Sequence, residues 1–151
     1  MDKVPNIEDL VPHTKPMLLL NRLLEAGEEY IVCEVLVHSD GLFDKSGQVP
    51  ALVGIEYMAQ AVSAFSGLEA RRQGKPVKMG FLLGTRRFET NVADFCCGEA
   101  LTVKICRVIQ GNDGIASFDC TLHGEEAQQS ARLTVYEPDD PESYVNSRKG
   151  E

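Results

Sequence analysis

A carboxylate stands in the most apolar stretch of the chain, Pro50-Ala-Leu-Val-Gly-Ile-Glu56-Tyr-Met-Ala-Gln60-Ala-Val-Ser-Ala-Phe65. A segment apolar on nearly every face reads as a buried helix, because no polar stripe remains for water. Burying an ionised carboxylate is costly, so Glu56 is expected to be paired, hydrogen-bonded or kept protonated. A carboxyl group held neutral can donate a proton, which makes Glu56 a candidate general acid. A buried Glu satisfied by a nearby Arg is the competing structural reading. Gln60, Ser63 and Gly67 continue the Glu56 face at helical spacing, and Gln60 is placed to hydrogen-bond the carboxyl group. Backbone N–H groups around Ala51 and Leu52, unpaired at the helix start, could bind an oxyanion or polarise a carbonyl.

A candidate base lies upstream in Leu10-Val-Pro-His13-Thr-Lys-Pro16-Met-Leu-Leu-Leu20. The two prolines stiffen the segment and the apolar strip after them can anchor it. A histidine held beside a hydrophobic cleft suits general-base work. His38 and His123 adjoin turn signals and read as surface or cap residues. Other signatures fail: there is no GxGxxG, P-loop or HExxH, and Ala64 occupies the first glycine position of a GxSxG frame around Ser66. The five cysteines lack CxxC spacing, which argues against a disulfide framework or a zinc site. Nothing near the adjacent pair Cys96-Cys97 lowers a thiol pKa.

The elements that must position these groups are legible in outline. Period-two alternation marks strands at residues 101–105, 116–122 and 131–135, joined by turn-rich connectors at 110–114 and 123–126. Tyr30 to Val37 is strongly β-forming and Leu83 to Phe88 more weakly so, while Met17 to Leu24 fits a strand or a short helix. The helix runs from about Leu52 to Arg72, between Pro50 and the Gly74-Lys-Pro76 stop. Antiparallel strands around one apolar helix predict an α+β domain whose sheet wraps that helix.

At 151 residues the chain suits a single domain, expected over residues 1–137, with 138–151 as an acidic, proline-punctuated, loosely ordered tail. The N-terminus shows no secretory signal and Glu56 and Gln60 interrupt the best apolar run, so a cytoplasmic location with no membrane span is expected. Net charge is −8, which disfavours nucleic acid as a partner. Residues 71–87 nevertheless hold Arg71, Arg72, Lys75, Lys78, Arg86 and Arg87 and no acid, so that window carries +6 and the remainder −14. Such a window suits an acidic partner or a phosphorylated ligand, or is simply solvated surface.

Taken together, these segments resemble a known family. Pro12-His13-Thr-Lys-Pro16-Met-Leu-Leu-Leu-Asn-Arg22 resembles the PHxxPxLLxDR segment of β-hydroxyacyl-acyl-carrier-protein dehydratases. The run from Pro50 to Gln60 resembles their helix start, with the acid six residues after the proline and a glutamine four further on. Phe81-Leu-Leu-Gly84-Thr-Arg-Arg-Phe88 and Cys97-Gly98-Glu99 resemble the strand that follows in that family. The similarity spans most of residues 10–136, and its finer strings look like the dehydratases of bacterial aryl-polyene gene clusters.

The resemblance implies a hot-dog fold that dimerises edge to edge, as a homodimer or with a related dehydratase subunit. It also implies dehydration of a 3-hydroxyacyl thioester, borne on the phosphopantetheine of an acyl carrier protein, with no metal or other cofactor. By motif, His13 takes the α-proton and Glu56, from the other subunit, protonates the leaving hydroxyl. The Ala51 N–H holds the thioester carbonyl, Gln60 orients Glu56, and the basic window docks the acidic carrier. Two positions depart from the family pattern: Ala51 replaces a glycine and Asn21 an aspartate. A hot-dog thioesterase, or a weakly active partner subunit of a heteromeric dehydratase, are the alternatives.

Overall fold

The computed structural model describes residues 5–11, 17–38, 43–76 and 80–138. His13, Lys78 and all but the first residue of the expected tail lie outside them. A 3-10 turn at Ile7–Asp9 precedes strands β1 (Arg22–Ala26), β2 (Tyr30–Leu36) and β3 (Gln48–Pro50). A second 3-10 turn, Ala51–Val53, leads into helix α1 (Gly54–Arg72). Strands β4 (Phe81–Thr90), β5 (Asp94–Cys96), β6 (Ala100–Gln110), β7 (Ile115–His123) and β8 (Gln128–Tyr136) complete the order.

Six strands form one antiparallel sheet in the order β1-β2-β6-β7-β8-β4, and β3 and β5 form a separate two-stranded ladder. The three strands expected from alternation are observed with longer spans, the alternation itself running throughout β7 and β8 and from Ala100 to Ile105 in β6. Leu101, Val103 and Ile105 of β6, Ala116, Phe118, Cys120 and Leu122 of β7, and Ala131, Leu133 and Val135 of β8 all face the core. Alternation puts every second side chain on that face, where α1 lies mainly across β2 and β6. Met17–Leu24 resolves into an irregular run with buried Leu18, Leu19 and Leu20, followed by β1. The short β3–β5 ladder escapes sequence reading because three-residue strands carry too little periodicity to register.

At its C-terminal end α1 closes with the Gly74 N–H donating to the Arg71 carbonyl and the Lys75 N–H to the Ala70 carbonyl. Gly74 supplies the positive φ of 68° that this paired cap requires. The stretch Ala51–Arg72 is, by length and composition alone, apolar enough to span a bilayer, and 61% of its best window is buried inside the fold. Glu56 and Gln60 therefore do not disqualify it on composition, contrary to the sequence expectation. The sheet is what accounts for its apolar residues.

Candidate functional site

The site is built on the first two turns of α1. One side chain, Gln60, organises it: fully buried, it uses both ends of its amide. Its Oε1 accepts from the Leu19 N–H at 2.8 Å. Its Nε2 donates to the Met17 carbonyl at 2.7 Å and to the Glu56 carboxylate at 3.1 Å. The i, i+4 relation read from the sequence is thus a hydrogen bond in the folded chain, and it is shared with the segment that follows Pro16.

Glu56 itself is half-buried, which corrects the expectation of a carboxylate sealed in an apolar helix. The sheet covers only one side of α1, so Ile55, Glu56, Ala59, Ser63 and Ser66 remain partly open. Gln60 is its hydrogen-bond partner, and among the described residues no cation pairs with it. The reading of Glu56 as half of a structural Glu–Arg pair finds no support there.

Two anchors bracket the segment that carries His13. On one side Leu10 is fully buried, and its backbone carbonyl lies so close to Gly67 that an added Cβ would overlap it. On the other, Met17 is fastened to Gln60. Leu10 and Met17 therefore both sit on α1, two turns apart.

The helix start differs from expectation in one respect. The Ala51 N–H is spent: it donates to the Ala93 carbonyl at 2.9 Å, extending the β3–β5 ladder by one residue beyond the Pro50–Asp94 pair. An amide held in a ladder is not free to hold a ligand carbonyl. Pro50 has no N–H, and the Leu52 N–H precedes the first intrahelical bond, so Leu52 carries the open donor. Its side chain is 66% exposed at the same point.

The basic window does not gather in one place. Arg71, Arg72 and Lys75 are exposed at the C-terminal end of α1, and Arg72 Nη1 donates to the Gly27 carbonyl in the β1–β2 turn. Arg86 and Arg87 lie on β4, at the opposite edge of the sheet from β1. Neighbours in sequence thus fall on different elements, the end of the helix and the edge strand β4.

Of the remaining residues, Asn21 Oδ1 accepts from the Leu36 N–H at 2.6 Å and so clamps β1 onto β2, an acceptor role that aspartate fills equally. His123 is exposed, whereas His38 is half-buried and its enclosed Nε2 has no partner among the described residues. Burial pushes the Cys33 and Cys120 thiols up to about 12, which leaves both inert. Among the described residues no group of three or more His, Cys, Asp or Glu could hold a metal. A polar cavity of about 590 Å³ lined by Ser66, Glu69, Gln73 and Arg107 lies at the far end of α1 from Glu56.

Sequence reading passed over Gln129. Carrying the β8 alternation back from Ala131 puts this polar residue on the core face, and that is the signal that could have found it.

A six-stranded antiparallel sheet packed on one long helix is the hot-dog fold. Solved structures share it at identities that speak to the fold alone. A hypothetical thioesterase with coenzyme A from Streptococcus pneumoniae is 14% identical, covering 77% of this chain and 84% of that one, with a TM-score of 0.57. The PaaI protein of Escherichia coli is 11% identical, covering 76% and 80%, with a TM-score of 0.56. The chain belongs to the ApeP-like dehydratase family of aryl-polyene clusters, whose model, described as ApeP dehydratase, matches residues 5–146. The dehydratase heterocomplex ApeI:P from Xenorhabdus doucetiae is 26% identical over 95% of this chain and 97% of that one, with a TM-score of 0.85. No curated protein sequence matches the chain.

Proposed function

We propose that this chain dehydrates a 3-hydroxyacyl thioester, carried on an acyl carrier protein, to the trans-2-enoyl thioester in aryl-polyene synthesis. The observation that carries the reading is the buried Gln60 amide that holds the Glu56 carboxyl group, with no cation paired to it among the described residues. In this reading His13 removes the α-proton of the substrate. Glu56, entering protonated, delivers its proton to the departing β-hydroxyl, which leaves as water. A helix-start amide stabilises the negative charge that gathers on the thioester carbonyl. Gln60 holds the acid in place, and the next turnover begins once a proton has passed back from His13 to Glu56 through solvent.

The exposed edge strand β4, with Leu82 and Leu83 open to solvent, supports assembly with a second hot-dog subunit. That the relative from Xenorhabdus doucetiae is a heterocomplex favours a related but non-identical partner. Arg71, Arg72 and Lys75 form the carrier-docking patch in this proposal, with Arg86 and Arg87 nearer the subunit edge.

Mass spectrometry of 3-hydroxyacyl carrier protein, incubated with the chain alone and with a related dehydratase subunit, tests the reading. Loss of one water is expected, abolished by both His13→Ala and Glu56→Gln. Release of free acid would instead mark a thioesterase, and activity unchanged in either variant would sink the assignment.

A further inference from the structure

Gln129 is only 3% exposed, on the core face of β8, where its neighbours on that face are Ala131, Leu133 and Val135. Its Nε2 uses both protons: one goes to the Ala51 carbonyl at 2.8 Å, the other to Thr90 Oγ1 at 3.1 Å. Its Oε1 is buried without a partner among the described residues and lies against Gly54, where any Cβ would collide with it. A buried amide with one unmet acceptor is a standing cost of roughly 1–3 kcal/mol, so an apolar residue would suit this face better. The Ala51 carbonyl does not need the bond, because it already accepts from the Gly54 N–H. Something other than stability therefore accounts for the glutamine.

The peptide plane supplies the reason. The Ala51 carbonyl and the Leu52 N–H belong to one rigid trans peptide and point in opposite directions. Holding the carbonyl toward β8 turns the Leu52 N–H away from the sheet, toward the open side of the helix start. A hydrogen bond to the carbonyl also polarises the amide and strengthens its N–H as a donor.

We propose that Gln129 is a positioning residue that, through the Ala51–Leu52 peptide, aims the Leu52 N–H at the substrate's thioester carbonyl. This rests on the dehydration reading above and moves the carbonyl-binding donor one residue on from Ala51. Gly54 is part of the same device, because only a residue without a side chain leaves room for the Gln129 amide.

Two measurements test it, both on the full chain. In the assembly that turns over 3-hydroxyacyl carrier protein, Gln129→Leu is expected to lower kcat by about 10–100-fold with KM within about twofold. In the Glu56→Gln background, infrared spectra of a bound 3-hydroxyacyl pantetheine thioester, labelled with carbon-13 at its carbonyl, follow the hydrogen bond directly. The carbonyl band should shift to lower frequency on binding, and Gln129→Leu should return it toward the free value. Gln129→Glu, which cannot donate to Ala51, serves where Gln129→Leu fails to fold. Folded variants with unchanged kcat, or a band that stays put, would overturn the proposal. Absence of water loss in the unmodified protein would count against the dehydration reading instead, and the band shift would still decide the role of Gln129.

Discussion

At the scale of single residues, Gln60 is the joint on which the proposed site depends. Replacing it with Leu keeps the volume but strips the Leu19 N–H and the Met17 carbonyl of their partners and releases Glu56. The orphaned Leu19 N–H is buried and costs about 1–3 kcal/mol, and each kcal/mol is worth about 2–4 °C of melting temperature at this chain length. Calorimetry of Gln60→Leu should therefore show a fall of several degrees, accompanied by loss of turnover. An unchanged melting temperature would mean that these bonds do not hold the N-terminal segment. The cysteines give a second residue-scale prediction. With Cys33 and Cys120 pushed up to about 12, only about one thiol in ten thousand is ionised near pH 8, and ionisation rises only as pH approaches 12. A maleimide at neutral pH should label exposed Cys96 in the folded protein, and Cys33 and Cys120 only after denaturation. Equal rates at all three would contradict the burial described.

At the scale of elements, the contact between α1 and the first turn is set by backbone, not by side-chain ends. Gly67 admits the Leu10 carbonyl, and a carbonyl cannot swing aside as a flexible side chain can. Gly67→Val should push the turn at Ile7–Asp9 off the helix, destabilising the fold by about 1–3 kcal/mol. It should also lower dehydration, since the same segment leads to His13, although Gly67 lies three turns from Glu56. A variant with unaltered stability and turnover would show that the turn can shift without consequence. The helix start has the same character: the β3–β5 ladder takes the Ala51 amide and leaves the Leu52 amide. A two-stranded ladder too short to stabilise itself thereby decides which donor is open.

At the scale of the whole molecule, the sheet has two edges, and they are unlike. Both carry bulges, but β1 is only five residues long and offers little edge for further pairing. β4 is ten residues long and presents Leu82 and Leu83, 45% and 49% exposed. Leu83→Asp should halve the particle mass measured by light scattering, and activity should vanish with it if His13 and Glu56 come from different subunits. A monomeric variant that still removes water would place both residues in one chain. Because Arg71 and Arg72 lie at the helix end while Arg86 and Arg87 lie along this edge, substitutions in the two groups should differ. Only the edge pair should perturb assembly.

The helix, the three alternating strands, the fold class and the Glu56–Gln60 relation are all legible in the sequence. Each of these is a short-range pattern, fixed by periodicities of about 3.6 and 2 residues that operate within one element. The proline and glycine stops bounded α1 for the same local reason. How exposed Glu56 is, where the basic residues go, which helix-start amide is spent and what Gln129 touches all emerge only in the folded chain. Those facts depend on pairings between residues far apart in the chain, such as Ala51 with Ala93 and with Gln129. A hydrogen bond between distant residues leaves no period in the sequence, because nothing in either segment alone records which partner the folded sheet will bring to it.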